Sequence, residues 1–83
     1  MWYTYVIKSE STGKIYVGST SNVERRLKEH NLGENISTKN KGPWKLEAYI
    51  GVHEERKART LEKYFKSGSG KAVLKKRILS SEA

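Results

Sequence analysis

Eighty-three residues suffice for one domain with a small core, because a chain this short buries only ~60% of the surface it exposes when unfolded. Seventeen Lys and Arg against nine acids leave a formal charge of +8, which favours a polyanionic partner, nucleic acid first and an anionic membrane surface second. The sequence has no cysteine, no apolar run long enough to cross a bilayer and no leader-like N-terminus. Disulfides and thiolate metal sites are thereby excluded, and a cytoplasmic, non-membrane protein is the expectation.

Residues 2–9, "WYTYVIKS", are rich in β-branched and aromatic types and read as a strand. Turn residues at 10–14 include Gly13, and "IYVGS" (15–19) reads as the returning strand of a hairpin. Alternation places Tyr3, Tyr5 and Ile7 on one face of the first strand and parts Tyr16 from Ile15 and Val17 on the second. Ser21-Asn22-Val23-Glu24 has the pattern of a capping box, with Ser21 as the cap, and Gly33 is the expected stop of the helix. On that helix Val23, Leu27 and His30 share a face, with Arg26 at its border.

Residues 34–44, "ENISTKNKGPW", are polar, hold the only proline and read as a mobile loop. "KLEAYIG" (45–51) alternates Leu46, Ala48 and Ile50 toward one face as a third strand. A second helix over 54–68 turns Ala58, Leu61 and Phe65 inward, with Gly68 closing it and Glu62 at the edge of the apolar face. A final helix over 70–79 buries Val73, Leu74 and Ile78, and 80–83 is expected to fray. The order β-β-α-β-α-α implies an α+β fold, a three-stranded antiparallel-leaning sheet flanked by helices, in a single domain over 1–83 with its core at about 2–79.

Phosphodiester hydrolysis needs an activated water, a base, charge stabilisation at the phosphate and often a divalent metal. Tyr5, Tyr16, Arg26, His30 and Glu62 are the residues able to supply those parts, and each has a plainer reading. The tyrosines also suit half-buried sheet positions with their hydroxyls in water. Arg26 also suits a boundary arginine laying its stem on apolar surface. His30 equally fits a core-edge imidazole favoured by the helix C-terminus. Glu62 has Lys66 four residues on as an ordinary ion-pair partner. All nine acids are Glu, so any carboxylate metal site is built from glutamates; magnesium suits one such ligand, whereas two His and no Cys disfavour zinc. "SGSGK" (67–71) lacks the spacing of a phosphate-binding loop.

Taken together these residues resemble the GIY-YIG nuclease superfamily, over roughly Trp2 to Ile78. The first signature tripeptide aligns with Tyr3-Thr4-Tyr5, which keeps only its tyrosine, and the second with Tyr16-Val17-Gly18, with Val for Ile. "NVERRLKEH" is similar to the segment in which that family carries an arginine and a histidine, here Arg26 and His30. "LEKYFK" is similar to the segment of its metal-binding glutamate, here Glu62, and the asparagine that many members carry near the domain's end has no counterpart after Lys66.

The chain is most similar to small bacterial members consisting of this domain alone. The resemblance implies metal-dependent cleavage of DNA, with Mg2+ (or Mn2+) held by Glu62. Tyr5 and Tyr16 would line the site, one of them helping to deprotonate water, with Arg26 on the scissile phosphate and His30 supporting or shuttling a proton. A monomer without a second DNA-binding domain would be directed by branched, flapped or damaged structure more than by sequence, with RNA left open as a substrate. The alternatives are a nucleic-acid-binding module of the same fold with little or no catalysis, and a protein-interaction domain whose charge is incidental.

Overall fold

A computed structural model describes residues 1–79. Strands β1 (Trp2–Ser9), β2 (Ile15–Thr20) and β3 (Trp44–Val52) form one antiparallel sheet in the order β2-β1-β3. Helix α1 (Val23–Asn31) covers one face, and α2 (Glu55–Lys66) with α3 (Gly68–Val73) covers the other. A wide π-type turn, Leu74–Ile78, follows α3. The α+β architecture expected from the element order is the one observed. Among the described residues no helix is long and apolar enough to cross a membrane.

Central β1 is buried on both faces, which explains its nearly continuous apolar run. Tyr5 and Ile7 pack with Trp44, Val23 and Leu27 under α1, while Val6 packs with Val17, Phe65 and Leu74 under α2. The two departures in the first tripeptide are absorbed locally. Thr4 donates its buried hydroxyl to the Ala58 carbonyl at 2.7 Å, and Tyr3 lies edge-on to Tyr49 with ring centroids 5.7 Å apart.

Four expectations need correction. Asn22, not Ser21, caps α1: its side-chain oxygen accepts the Arg25 N–H at 3.0 Å, and Ser21 lies one residue too early. The face expected for Leu46, Ala48 and Ile50 is split by a bulge. Val6 pairs with Ala48 but Ile7 with Leu46, so Glu47 is an extra residue. Leu46 therefore joins the α1 face, while Ala48 and Ile50 fall opposite Val6 and Thr4 on the other.

Gly68 does not close α2. Ser67, in extended conformation, ends that helix and immediately caps α3 by accepting the Gly70 N–H at 3.1 Å. Of the three apolar residues expected to be buried beyond it, only Leu74 is, while Val73 and Ile78 are 38% and 40% exposed. The inward line is Gly70–Leu74, because a glycine at 70 lets the backbone press against the Tyr64 carbonyl, where a Cβ would collide. The expected stop at Gly33 holds. With φ +78° it lets Gly33 and Glu34 donate to the His30 and Glu29 carbonyls, at 3.1 and 3.0 Å, in a Schellman closure. The expected fraying of 80–83 lies outside the described residues.

Candidate active site

The β1–β2 register sets Tyr5 directly opposite Gly18, and the phenol ring lies on that glycine. A Cβ at position 18 would meet Tyr5 Cζ at 2.6 Å. Tyrosine from one tripeptide and glycine from the other thus form a single packing unit. Tyr5 Oη is 2.7 Å from His30 Nε2, and His30 Nδ1 is 2.7 Å from Thr38 Oγ1. His30 reaches the phenol because α1 stacks Val23, Leu27 and His30 on its inner face. Tyr5 and His30 are 2% exposed and Thr38 1%.

Burial pushes the His30 imidazole down to about 4, and the Arg26 cation acts in the same direction. Burial pushes the Tyr5 phenol up to about 12, against the Arg26 guanidinium, which lowers it. Both groups are therefore uncharged at neutral pH. Between 6.5 and about 4 the unfolded chain holds a proton on this imidazole that the folded chain does not, so stability rises with pH across that window. We expect a loss of about 3 kcal/mol on acidifying through it. Thermal unfolding of wild type and His30→Gln from pH 7 to 4 checks this; a slope untouched by the substitution would remove His30 as its source.

Arg26 stands at the border of α1, partly exposed. Its Nη1 is 2.8 Å from Glu29 Oε1, which raises the guanidinium's pKa further and lowers that of the Glu29 carboxyl. Its remaining N–H donors form a planar fork suited to a phosphate.

Tyr16 and Ser19 alternate to opposite faces of β2, the edge strand. The Tyr16 ring meets His30 edge-on, centroids 5.1 Å apart. Lys66, from α2 on the other face, reaches past the edge to place Nζ 5.2 Å from the Tyr16 centroid. The same Nζ is 2.9 Å from Glu62 Oε2, and the Ser19 hydroxyl donates to Glu62 Oε1 at 2.7 Å. Burial alone would raise Glu62, but the hydrogen bonds from Lys66 and Ser19 and the charges of Lys66 and Arg59 outweigh it. The carboxyl is held below the usual range and is ionised.

The five candidate residues are thus joined by one chain of contacts across the edge strand: Arg26 beside Tyr5, Tyr5 on His30, His30 on Tyr16, Tyr16 under Lys66, and Lys66 on Glu62. The ordinary Glu62–Lys66 pair forms as well. The sequence pattern carries no signal for the contacts of Thr38 with His30, Ser19 with Glu62 and Lys66 with Tyr16. The partners lie 8 to 50 positions apart in the chain, and no periodicity links them.

Glu62 opens onto a groove lined by Ser19, Arg59, Lys63 and Lys66. It adjoins a second groove, floored by Ile15, Phe65 and Leu74 and rimmed by Lys14, Lys71 and Lys75. Among the described residues no cluster of three or more His, Cys, Asp or Glu exists, and Glu62 is the one acid lining its groove, so a metal here would have one protein carboxylate. An ionised carboxylate with a hydroxyl beside it, in a groove that attracts phosphate, is a hard oxygen set. It fits magnesium or manganese completed by water and phosphate oxygens.

Comparison with known proteins places these residues in a family context. The model of the GIY-YIG catalytic domain matches residues 1–77. A UPF0213 protein of Clostridium perfringens is 36% identical over 67 residues, covering 80% of this chain and 71% of that protein. A UPF0213 protein of Bacillus licheniformis is 39% identical over 70 residues, covering 83% and 71%. The solution NMR structure of a UPF0213 protein from Bacillus halodurans superposes with a TM-score of 0.58 at 28% identity, covering 98% of this chain and 89% of that one.

Proposed function

The chain belongs to the GIY-YIG family of nuclease catalytic domains, and from that premise we propose that it is a metal-dependent endonuclease that hydrolyses DNA phosphodiester bonds. The observation that carries this reading is the contact chain from Arg26 and Tyr5 to Glu62 across β2. Packing alone does not require five such groups to meet beside a basic groove.

In this reading Arg26 grips a non-bridging phosphate oxygen with the donors that Glu29 leaves free. Tyr16, the phenol that borders a groove, meets the attacking water, while Tyr5 is sealed against His30 and helps fix the geometry. A magnesium or manganese ion on Glu62 would neutralise phosphate charge and acidify bound water. Lys66, released from Glu62 by the metal, would be free to pair with phosphate.

The lysines that rim the adjoining groove contact backbone rather than base edges, so the enzyme, working as a monomer, is directed by branched or flapped structure and not by sequence. A second reading, a binding module with little catalysis, is favoured by one observation: Ser19 and Lys66 already satisfy both Glu62 oxygens.

End-labelled duplex, flap, branched DNA and single-stranded RNA, incubated with the protein in magnesium or EDTA, decide between them. We expect cutting of a structured DNA in magnesium and none in EDTA. Binding without cutting across the panel, weakened steeply by salt and indifferent to magnesium, would establish the module.

A further inference from the structure

The buried chain Tyr5–His30–Thr38 can be protonated in two ways, and only one leaves every donor bonded. Suppose His30 carries its proton on Nε2. The ring then donates to Tyr5, and the phenol's own O–H needs another acceptor. Among the described residues the only acceptor bonded to Tyr5 Oη is His30 Nε2, since Arg26 beside it has only donors, and Tyr5 is almost wholly buried. Its proton would be left unpaired in the interior, the costly state for a buried donor.

With the proton on Nδ1 the difficulty disappears. Tyr5 donates to the bare Nε2, Nδ1–H donates to Thr38 Oγ1, and the Thr38 hydroxyl turns to the Asn35 carbonyl at 3.5 Å, a long but open contact. Arg26, which offers only donors, also suits a phenol whose oxygen lone pairs are unspent.

Thr38 is held for this task. Its carbonyl accepts the Trp44 indole N–H at 3.1 Å and the Lys41 N–H at 3.2 Å. Trp44 is in turn clamped by Asn31, whose side chain accepts its backbone N–H at 2.6 Å and donates to its carbonyl at 3.1 Å. The polar loop between α1 and β3 is thus anchored to α1 at the point where it delivers a hydroxyl to His30.

We propose that Thr38 is a positioning residue: by accepting from Nδ1 it fixes the His30 tautomer whose bare Nε2 takes the Tyr5 proton, and so keeps Tyr5 a neutral, oriented phenol. The catalytic consequence rests on the nuclease reading. With Tyr5 committed as a donor to His30, the phenol free to meet water is Tyr16.

The test is the long-range 1H–15N spectrum of the imidazole rings at pH 7 in the 15N-labelled full chain, with the His30 signals identified by their loss in His30→Gln. The expected result is a protonated Nδ1 and a bare Nε2 in wild type and in Thr38→Ser, and loss of that pattern in Thr38→Val. On a cleaved substrate Thr38→Val should lower kcat about tenfold with KM little changed, as partners that orient a catalytic group do, and Thr38→Ser should restore it. A wild-type ring protonated on Nε2 overturns the proposal, as does a Thr38→Val ring that keeps the wild-type pattern. If Thr38→Val does not fold, the wild-type and Thr38→Ser spectra still decide. Absence of cleavage by wild type would sink the nuclease reading and leave the tautomer assignment standing or falling on the spectra alone.

Discussion

Glu62→Gln is expected to lower single-turnover cleavage at least about a thousandfold, the scale on which removing a principal electrostatic element acts. Folding should survive. Glutamine keeps the volume of glutamate and a carbonyl oxygen for the Ser19 hydroxyl. What it loses is the half-exposed i,i+4 pair with Lys66, and such pairs contribute only about 0.5 kcal/mol. DNA affinity should hold or rise, because the amide frees the Lys66 ammonium for phosphate. Cleavage within tenfold of wild type, in a variant that melts normally, would take Glu62 out of the metal role.

The second large effect is on the fold and reaches the site through it. Gly18→Ala should destabilise the protein by about 3 kcal/mol, at the upper end of overpacking costs. The added Cβ would stand 2.6 Å from Tyr5 Cζ and 2.9 Å from Cε2. The ring has no room to yield: its hydroxyl is bonded to His30, and Ile7 and Trp44 pack in the same cluster. Cleavage should fall with stability, since any displacement of Tyr5 breaks its bond to His30. Gly13 provides the contrast. It has φ +74° and nothing within 4 Å of a Cβ, so Gly13→Asn, which tolerates that conformation, should change stability by less than about 1 kcal/mol. Urea unfolding of the two variants checks the pair; a Gly18→Ala protein as stable as Gly13→Asn would show that the ring moves aside freely.

Much of this fold was legible in the residue pattern because its signals are local. β1, the hairpin turn and the inner face of α2 follow from composition and from periods of 2 and 3.6. The Schellman stop at Gly33 follows from one glycine after the last inward residue. The misjudged features are decided by tertiary contact. The bulge at Glu47 is set by pairing with β1, about forty residues earlier. Asn22 outcompetes Ser21 as a cap because the turn from β2 places it, and not its neighbour, at the helix start. Gly70, which aligns the last helix, is explained only by the Tyr64 carbonyl against which it rests.

The site divides in the same way. Tyr5, Tyr16, Arg26, His30 and Glu62 are readable as chemistry-bearing groups, and the contacts among them follow from the sheet order β2-β1-β3 together with the helices packed on its two faces. Thr38 lies in a polar loop whose composition does not single out its bond to His30 from what its neighbours could do. Ser19 and Lys66 give no sign of their contacts for a different reason. Each is an unremarkable surface type, and each acquires its role only where α2 crosses the edge of β2.

The claim that these residues act as one site is tested most directly by single-turnover cleavage of the best-cut DNA structure in magnesium, by wild type, Arg26→Ala, Glu62→Gln and the double variant. Groups that serve one transition state are strongly non-additive, so the double variant should lose little more than the worse of the two singles. A single variant that cuts as wild type does, or a double variant whose loss is the product of the two single losses, would contradict a shared site at the edge of β2.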